Sequence, residues 1–301
     1  MKLISRIRVY VSVVLSVWLL SAGPAFAREL LWTQPSTELP QWMRNSVIYE
    51  VNVRQYSGEG TFAAVEADLD RLERLGVDVL WFMPIHPIGR ENRKGELGSY
   101  YSIADYMGVN PEFGTREDFK SLVDAAHSRG MKVLLDWVGN HTAWDNDLAL
   151  SRPDFFLRTP EGNYMPPPEF PDWKDVIQLD FSNPGVLEYQ VEAMRYWITE
   201  FGVDGYRCDY ATGVPTSFWN GLAAALLETE PDLFLLAEAE VPDHQLEAFQ
   251  ASYGWPVMHA FNDVAQGKKA ASVIDDILTR LRLEFPHGSN FLYMTSNHDE
   301  N

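Results

Sequence analysis

Short β-forming, largely apolar runs alternate along almost this whole chain with stretches whose apolar residues recur every three or four positions. That alternation restricts the fold more than any other feature. The strand-like runs fall at 47–53, 77–83, 132–137, 203–209, 233–238, 256–261 and 291–297. Between them, Phe62, Val65, Leu69 and Leu72 recur at helical spacing, as do Phe119, Leu122, Val123 and Ala126. Asn183 followed by Pro184 is an N-cap with proline at the first helical position, opening a helix that carries Met194 and Trp197. Strand–helix alternation predicts an α/β fold with a parallel sheet. Seven strands, with a helix or long loop after each of the first six, predict an incomplete (β/α)8 barrel of the TIM type, with the eighth strand and any following domain beyond Asn301. The rival, an open doubly wound sheet, lacks a glycine-rich phosphate loop after its first strand. Residues 142–179, rich in Pro, Asp and aromatics, read as a short excursion after the third strand rather than as a separate domain.

The chain has 301 residues, 46% of them hydrophobic, which suits one barrel-sized domain. Residues 1–27 read as a signal peptide: Lys2, Arg6 and Arg8 precede an apolar run, and Ala25-Phe26-Ala27 offers a small-x-small cleavage site. The apolar run is shorter than the ~20 residues of a spanning helix, so cleavage after Ala27 and a secreted or periplasmic protein are expected, rather than an uncleaved membrane anchor. Losing those three positive charges would take the net charge from −19 to −22. Such a surface repels phosphate backbones and anionic headgroups, so no nucleic-acid or membrane partner is expected, and the mature protein is expected to be a monomer. Cys208 is the single cysteine, which excludes an intrachain disulfide.

In a barrel of this type, function sits at the carboxyl ends of the strands. Four of those ends supply an acid: Asp136 (with Asn140 and His141 just beyond), Asp209, Glu238 and Asp299 (preceded by His298). Side chains two apart on a strand point the same way, so Arg207 and Asp209 both face the barrel axis and Cys208 faces the helix layer as a buried thiol. A guanidinium beside Asp209 is expected to hold that carboxyl ionised, as a nucleophile requires. The apolar residues Leu235, Leu236 and Ala237 before Glu238 are expected to raise its pKa, as a general acid requires. Two carboxyls pushed apart in this way are what glycosidic cleavage uses; in retaining enzymes they stand ~5–5.5 Å apart.

These stretches resemble the α-amylase family of glycoside hydrolases over nearly the whole mature chain. The signature runs are 136–141 (DWVGNH), 205–209 (GYRCD), Glu238 and 297–299 (NHD), with weaker matches at 76–84 and 176–180. The resemblance implies that Asp209 is the nucleophile, that Glu238 is the acid and base, and that Asp299 binds sugar hydroxyls and stabilises the transition state. Arg207 would orient Asp209, and Asp136 would brace Arg207. His141 and His298 would hydrogen-bond the sugar ring, and Tyr101 would stack on it, with Asp105 buttressing its loop. Aromatic faces pack on pyranose rings, and of Trp137, Trp144, Trp173 and Trp219, Trp144 is the expected substrate contact.

Departures from the family pattern carry information too. Thr212 and Gly213 stand where many members have Lys-His, so binding on the leaving-group side must be built differently. Gln178 stands where calcium-binding members tend to have aspartate, leaving Asn140 as the single matching calcium ligand. No cofactor is required by this reading, and calcium is left open. Three functions follow: hydrolysis of α-1,4-linked glucans or malto-oligosaccharides; transfer, isomerisation or branching by the same machinery; or non-catalytic sugar binding. The last is disfavoured by the presence of Asp209, Glu238 and Asp299 together.

Overall fold

The computed structural model describes residues 36–300; the expected signal peptide lies outside the described residues. Among the described residues nine strands follow in chain order: β1 (Ile48–Val51), β2 (Val79–Phe82), β3 (Lys132–Trp137), β4 (His141–Ala143), β5 (Val176–Gln178), β6 (Gly205–Cys208), β7 (Phe234–Ala237), β8 (Ala251–Tyr253) and β9 (Phe291–Leu292). Seven form one sheet in the order β1-β2-β3-β6-β7-β8-β9, every neighbouring pair parallel, while β4 and β5 form a separate antiparallel ribbon. The sheet curls: Val79, Trp81, Leu134, Phe234, Leu236, Ala251 and Tyr253 meet in one interior cluster, which Ile48 of β1 and Leu292 of β9 both join. This is the incomplete (β/α)8 barrel read from the sequence, with β1 and β9 as its edges.

Period-two alternation separates the two faces. Leu80, Phe82, Val133, Leu135, Trp137, Tyr206, Cys208, Leu235 and Ala237 point outward into the core shared with the helices. Cys208 is buried there as a free thiol. The inward set is apolar at its base and becomes charged towards the strand ends, because Asp136, Asp209 and Glu238 each lie two residues beyond an inward-facing Leu134, Arg207 or Leu236.

The helices follow their local signals. Thr115 and Asp118 form a reciprocal capping box on helix Arg116–His127, whose face of Phe119, Leu122, Val123 and Ala126 is buried. Burying such a Phe or Leu contributes roughly 1.5–3 kcal/mol. Asn183 accepts from the Gly185 N–H and Pro184 occupies the first turn of helix Pro184–Tyr196. The periodic stretch from Phe62 to Leu72 is not one helix: Phe62–Ala67 and Leu69–Leu75 are joined at Asp68, whose carboxylate binds Tyr56 and Arg71. None of the helices among the described residues is long and apolar enough to cross a membrane.

One predicted strand is in the wrong place. Residues 256–261 belong to helix Trp255–Ala265, and the sixth strand of the sheet is the three-residue β8 just before it. Pro256 sits in that helix's first turn after Gly254, and the apolar residues Val257, Met258 and Ala260 form its buried face. The short apolar run of Val257, Met258, Ala260 and Phe261, interrupted only by His259, imitated a strand. The strand read at 132–137 is found with those bounds, and the remaining predicted strands are shorter than read; 291–297 contracts to Phe291–Leu292, and Asn297 lies in the turn beyond it.

Candidate active site

Arg207 organises the carboxyl end of the sheet. It is fully buried, and the register pairs it with Asp136 on β3 and Leu236 on β7. Its Nη1 donates to Asp136 Oδ1 at 2.8 Å and to Asp209 Oδ1 at 3.1 Å, and its Nε donates to the Tyr253 hydroxyl at 3.0 Å. Nη2 lies 2.7 Å from Glu238 Oε1 but off the N–H axis, an ion pair rather than a directed hydrogen bond. The rings of Trp81, Tyr253 and Tyr101 lie 5.2, 5.5 and 5.8 Å from the guanidinium carbon. Glu238 is held from its other oxygen by the Tyr210 backbone N–H at 2.7 Å.

One guanidinium thus serves three buried carboxyls, and the electrostatics follow from that count. Burial raises all three carboxyls, Arg207 pulls each back down and repulsion among the acids works against it, so that Asp136 ends at about 6, Asp209 at about 7 and Glu238 at about 7. The expected rise of Glu238 is present. The expectation that Arg207 alone would keep the Asp209 carboxyl low does not hold for the free protein, because Arg207's charge is divided and Asp209 is almost wholly removed from water. Burial and mutual repulsion thus oppose full ionisation of the three acids, and the single guanidinium favours it.

Asp209, Glu238 and Asp299 line one cavity of about 560 Å³ together with Tyr101, His141 and His298. Asp299 is half-exposed, with Oδ2 3.3 Å from His298 Nε2, and its N–H bonds to Asn297 Oδ1 at 3.1 Å. Tyr101 donates to Asp136 or pairs with His298, at 3.2 and 2.7 Å, and its ring stacks on His298 at 20°. The second nitrogen of His298 binds Glu50 of β1. Burial lowers the His298 pKa, but the hydrogen bond and charge of Glu50 outweigh it and the net shift is upward. Burial drives His141 down to about 4, so that ring is neutral at pH 7.

Three of the predicted substrate-binding residues do not reach the cavity. Arg207 and Asp136 lie beneath its floor and act only through the carboxyls they hold. Trp144 is not among the lining residues; its indole donates to the Lys174 carbonyl at 2.8 Å. The aromatic wall is built instead by Trp173, Phe170 and Tyr210. Trp173 and Phe170 stack at 4.3 Å, and both meet Tyr210 edge-on. Tyr210 has φ 39°, an unfavourable left-handed conformation for a bulky residue. It aims the N–H at Glu238 and lays the ring over Gly213, where an added Cβ would lie only 2.1 Å from it. Lys94, ion-paired with the buried Asp175 at 2.8 Å, lines the same cavity. Sequence reasoning missed Glu50, Tyr210 and Lys94, and passed over Trp173 in favour of Trp144 among its four tryptophan candidates; of the three missed, only Glu50 gave a signal, as a lone acid at an inward position of β1.

The residues around Asn140 do not fit a calcium ion. Asn140 Oδ1, the one matching ligand, accepts from Gln178 Nε2 at 3.1 Å. Among the described residues no cluster of three or more His, Cys, Asp or Glu side chains is placed to hold a metal.

With this geometry in hand, comparison with known proteins identifies the lineage. The family model for the α-amylase catalytic domain matches residues 45–275. The α-amylase MalA of Haloarcula japonica is 31% identical over 273 residues, covering 87% of this chain and 40% of that protein. A trehalose synthase of Pimelobacter is 33% identical over 218 residues, covering 57% of this chain and 35% of that protein. Among solved structures, an α-amylase of Lactobacillus plantarum superposes with TM-score 0.80 at 41% identity, covering 86% of this chain and 64% of that one. The maltogenic α-amylase AmyB of Thermotoga neapolitana gives 0.79 at 38%, covering 86% and 60%. The chain spans about half or less of the length of these curated relatives. It belongs to the α-amylase family, glycoside hydrolase family 13, whose members are glycosidases and related glycosyl-transferring enzymes.

Proposed function

We propose that this chain carries the active site of a retaining hydrolase of α-1,4-glucosidic bonds in starch-like glucans or malto-oligosaccharides. The observation behind the proposal is the convergence of Asp209 and Glu238 on one buried guanidinium at the floor of a cavity that Asp299 also lines. Because one guanidinium holds both carboxyls, we assign them to the retaining class, whose pairs lie ~5–5.5 Å apart, rather than to the wider-spaced inverting class.

The roles follow from the contacts. Asp209, with the directed hydrogen bond to Arg207, gives up its proton first and attacks the anomeric carbon. Glu238, bound to Arg207 only off axis, keeps the proton and passes it to the leaving oxygen as the C–O bond breaks. It then takes a proton from water, which hydrolyses the ester on Asp209. Asp299, His298, His141 and Tyr101 would hold the sugar ring where the bond is cut. Trp173, Phe170 and Tyr210 would stack on the sugar beyond it, taking over the wall that Lys-His supplies in many members. Export is part of this reading: a signal peptide cleaved after Ala27 would deliver the enzyme to polymeric substrate outside the cytoplasm.

The trehalose synthase among the relatives favours a second reading, transfer of the glucosyl unit to another sugar. Products from soluble starch and from maltotriose separate the two. Hydrolysis predicts reducing ends rising in step with bonds broken; longer oligosaccharides than the substrate would establish transfer and overturn the hydrolytic proposal.

A further inference from the structure

We propose that the side-chain amide of Gln178 replaces a structural calcium ion in this chain, tying the 142–179 excursion to the barrel without metal. Three oxygens converge on its single Nε2: the Asn140 carbonyl at 2.9 Å, Asn140 Oδ1 at 3.1 Å and the Leu179 carbonyl at 3.1 Å. Both residues are almost fully buried, Asn140 at 1% and Gln178 at 4% exposure. Buried oxygens that face one another repel unless something positive stands between them. A cation and an N–H donor are the two chemistries that satisfy them, and the geometry here selects the donor. The distances are those of N–H···O bonds, whereas calcium draws its oxygens in to ~2.3–2.6 Å. In this orientation the two N–H groups of the amide are shared among the three oxygens, whereas the reverse orientation would set four acceptors against each other unless a cation joined them.

The cage sits where it matters for the site. Gln178 pairs with His141 across the β4–β5 ribbon, so the excursion returns to the barrel at this point. Asn140, its oxygen committed to Gln178, turns its Nδ2–H towards His141 Nδ1 at 3.2 Å. That makes Nδ1 an acceptor and leaves the proton of the neutral ring on Nε2. Gln178 therefore holds His141 in one tautomer through Asn140, as a positioning residue two steps from the cavity.

Melting of the purified protein without substrate tests this separately from the catalytic reading. The wild type is expected to melt within about 1 °C in millimolar calcium and in excess EDTA, and to give no tryptophan-sensitised terbium luminescence. Gln178→Glu sets a carboxylate among the same oxygens. It should melt several degrees lower in EDTA, recover in calcium and acquire the terbium signal. Gln178→Met, of similar shape but without the donor, should lose stability that calcium does not restore. A wild-type melting temperature that calcium raises and EDTA lowers overturns the proposal, as does a neutral Gln178→Met; the wild-type arm decides even if neither variant folds.

Discussion

Replacing Asp209 with Asn separates catalysis from stability, and the structure sets the sign of each. Burial lifts the Asp209 carboxyl from 3.8 to about 7, which corresponds to ionisation in the fold being disfavoured on the order of 4 kcal/mol relative to the unfolded chain. Below pH ~4 both states are protonated and the difference vanishes. Between ~4 and 7 the folded chain holds a proton that the unfolded chain has released, so stability falls as pH rises, and by pH 8 the whole cost is present. Asn cannot ionise and escapes it, losing about 1 kcal/mol of charge-assisted hydrogen bonding to Arg207. Arg207 keeps Asp136 and Glu238, so no bare buried cation is left. The net gain is roughly 2–3 kcal/mol at pH 8, about 5 °C in melting temperature for a chain of this size, and near zero at pH 4. Turnover should meanwhile fall at least about a thousandfold, while oligosaccharide binding largely survives. Paired calorimetric scans at pH 4 and pH 8 provide the measurement. A variant destabilised at pH 8, or shifted equally at both, would refute the reasoning that burial outweighs Arg207 at this carboxyl.

Two further outcomes follow from neighbouring geometry. Trp173→Ala should raise KM for maltotriose about tenfold with a smaller effect on kcat, whereas Trp144→Ala should leave KM within about twofold, as steady-state kinetics will show. Glu50→Gln removes the charge that keeps the His298 pKa up, so its NMR titration should move to lower pH. Since a raised histidine pKa contributes stability below its unfolded pKa of ~6.5 and loses it as pH rises, this variant should be destabilised more at pH 5.5 than at pH 8.5.

The strand-end chemistry was legible because a barrel strand has only two faces. Once Arg207 is placed inward, Asp209 follows by parity and Cys208 must face the helices, and both do. Glu238 rises for the reason its apolar approach suggested. The helix at Trp255–Ala265 was not legible as such, because its short apolar run fits a buried strand as well as a helix and the true strand, Ala251–Tyr253, is too short to carry a pattern. The aromatic wall was out of reach for a different reason. Trp144 and Trp173 belong to the same excursion, and which of them meets the cavity depends on how the loop returns through the β4–β5 ribbon. The ionisation of Asp209 required a sum of opposing effects, burial against a guanidinium shared among three acids, and sequence supplies the partners without the division.

The central claim is that Asp209 forms the covalent bond and Glu238 moves the proton. It is tested most directly in Glu238→Gln incubated with α-maltosyl fluoride, whose leaving group needs no acid while the ester that forms lacks its base. Mass spectrometry of the intact protein and its peptides should show one added maltosyl unit, carried by the peptide containing Asp209. A glycosyl adduct on any other residue, or release of β-maltose with no adduct formed, would contradict the account.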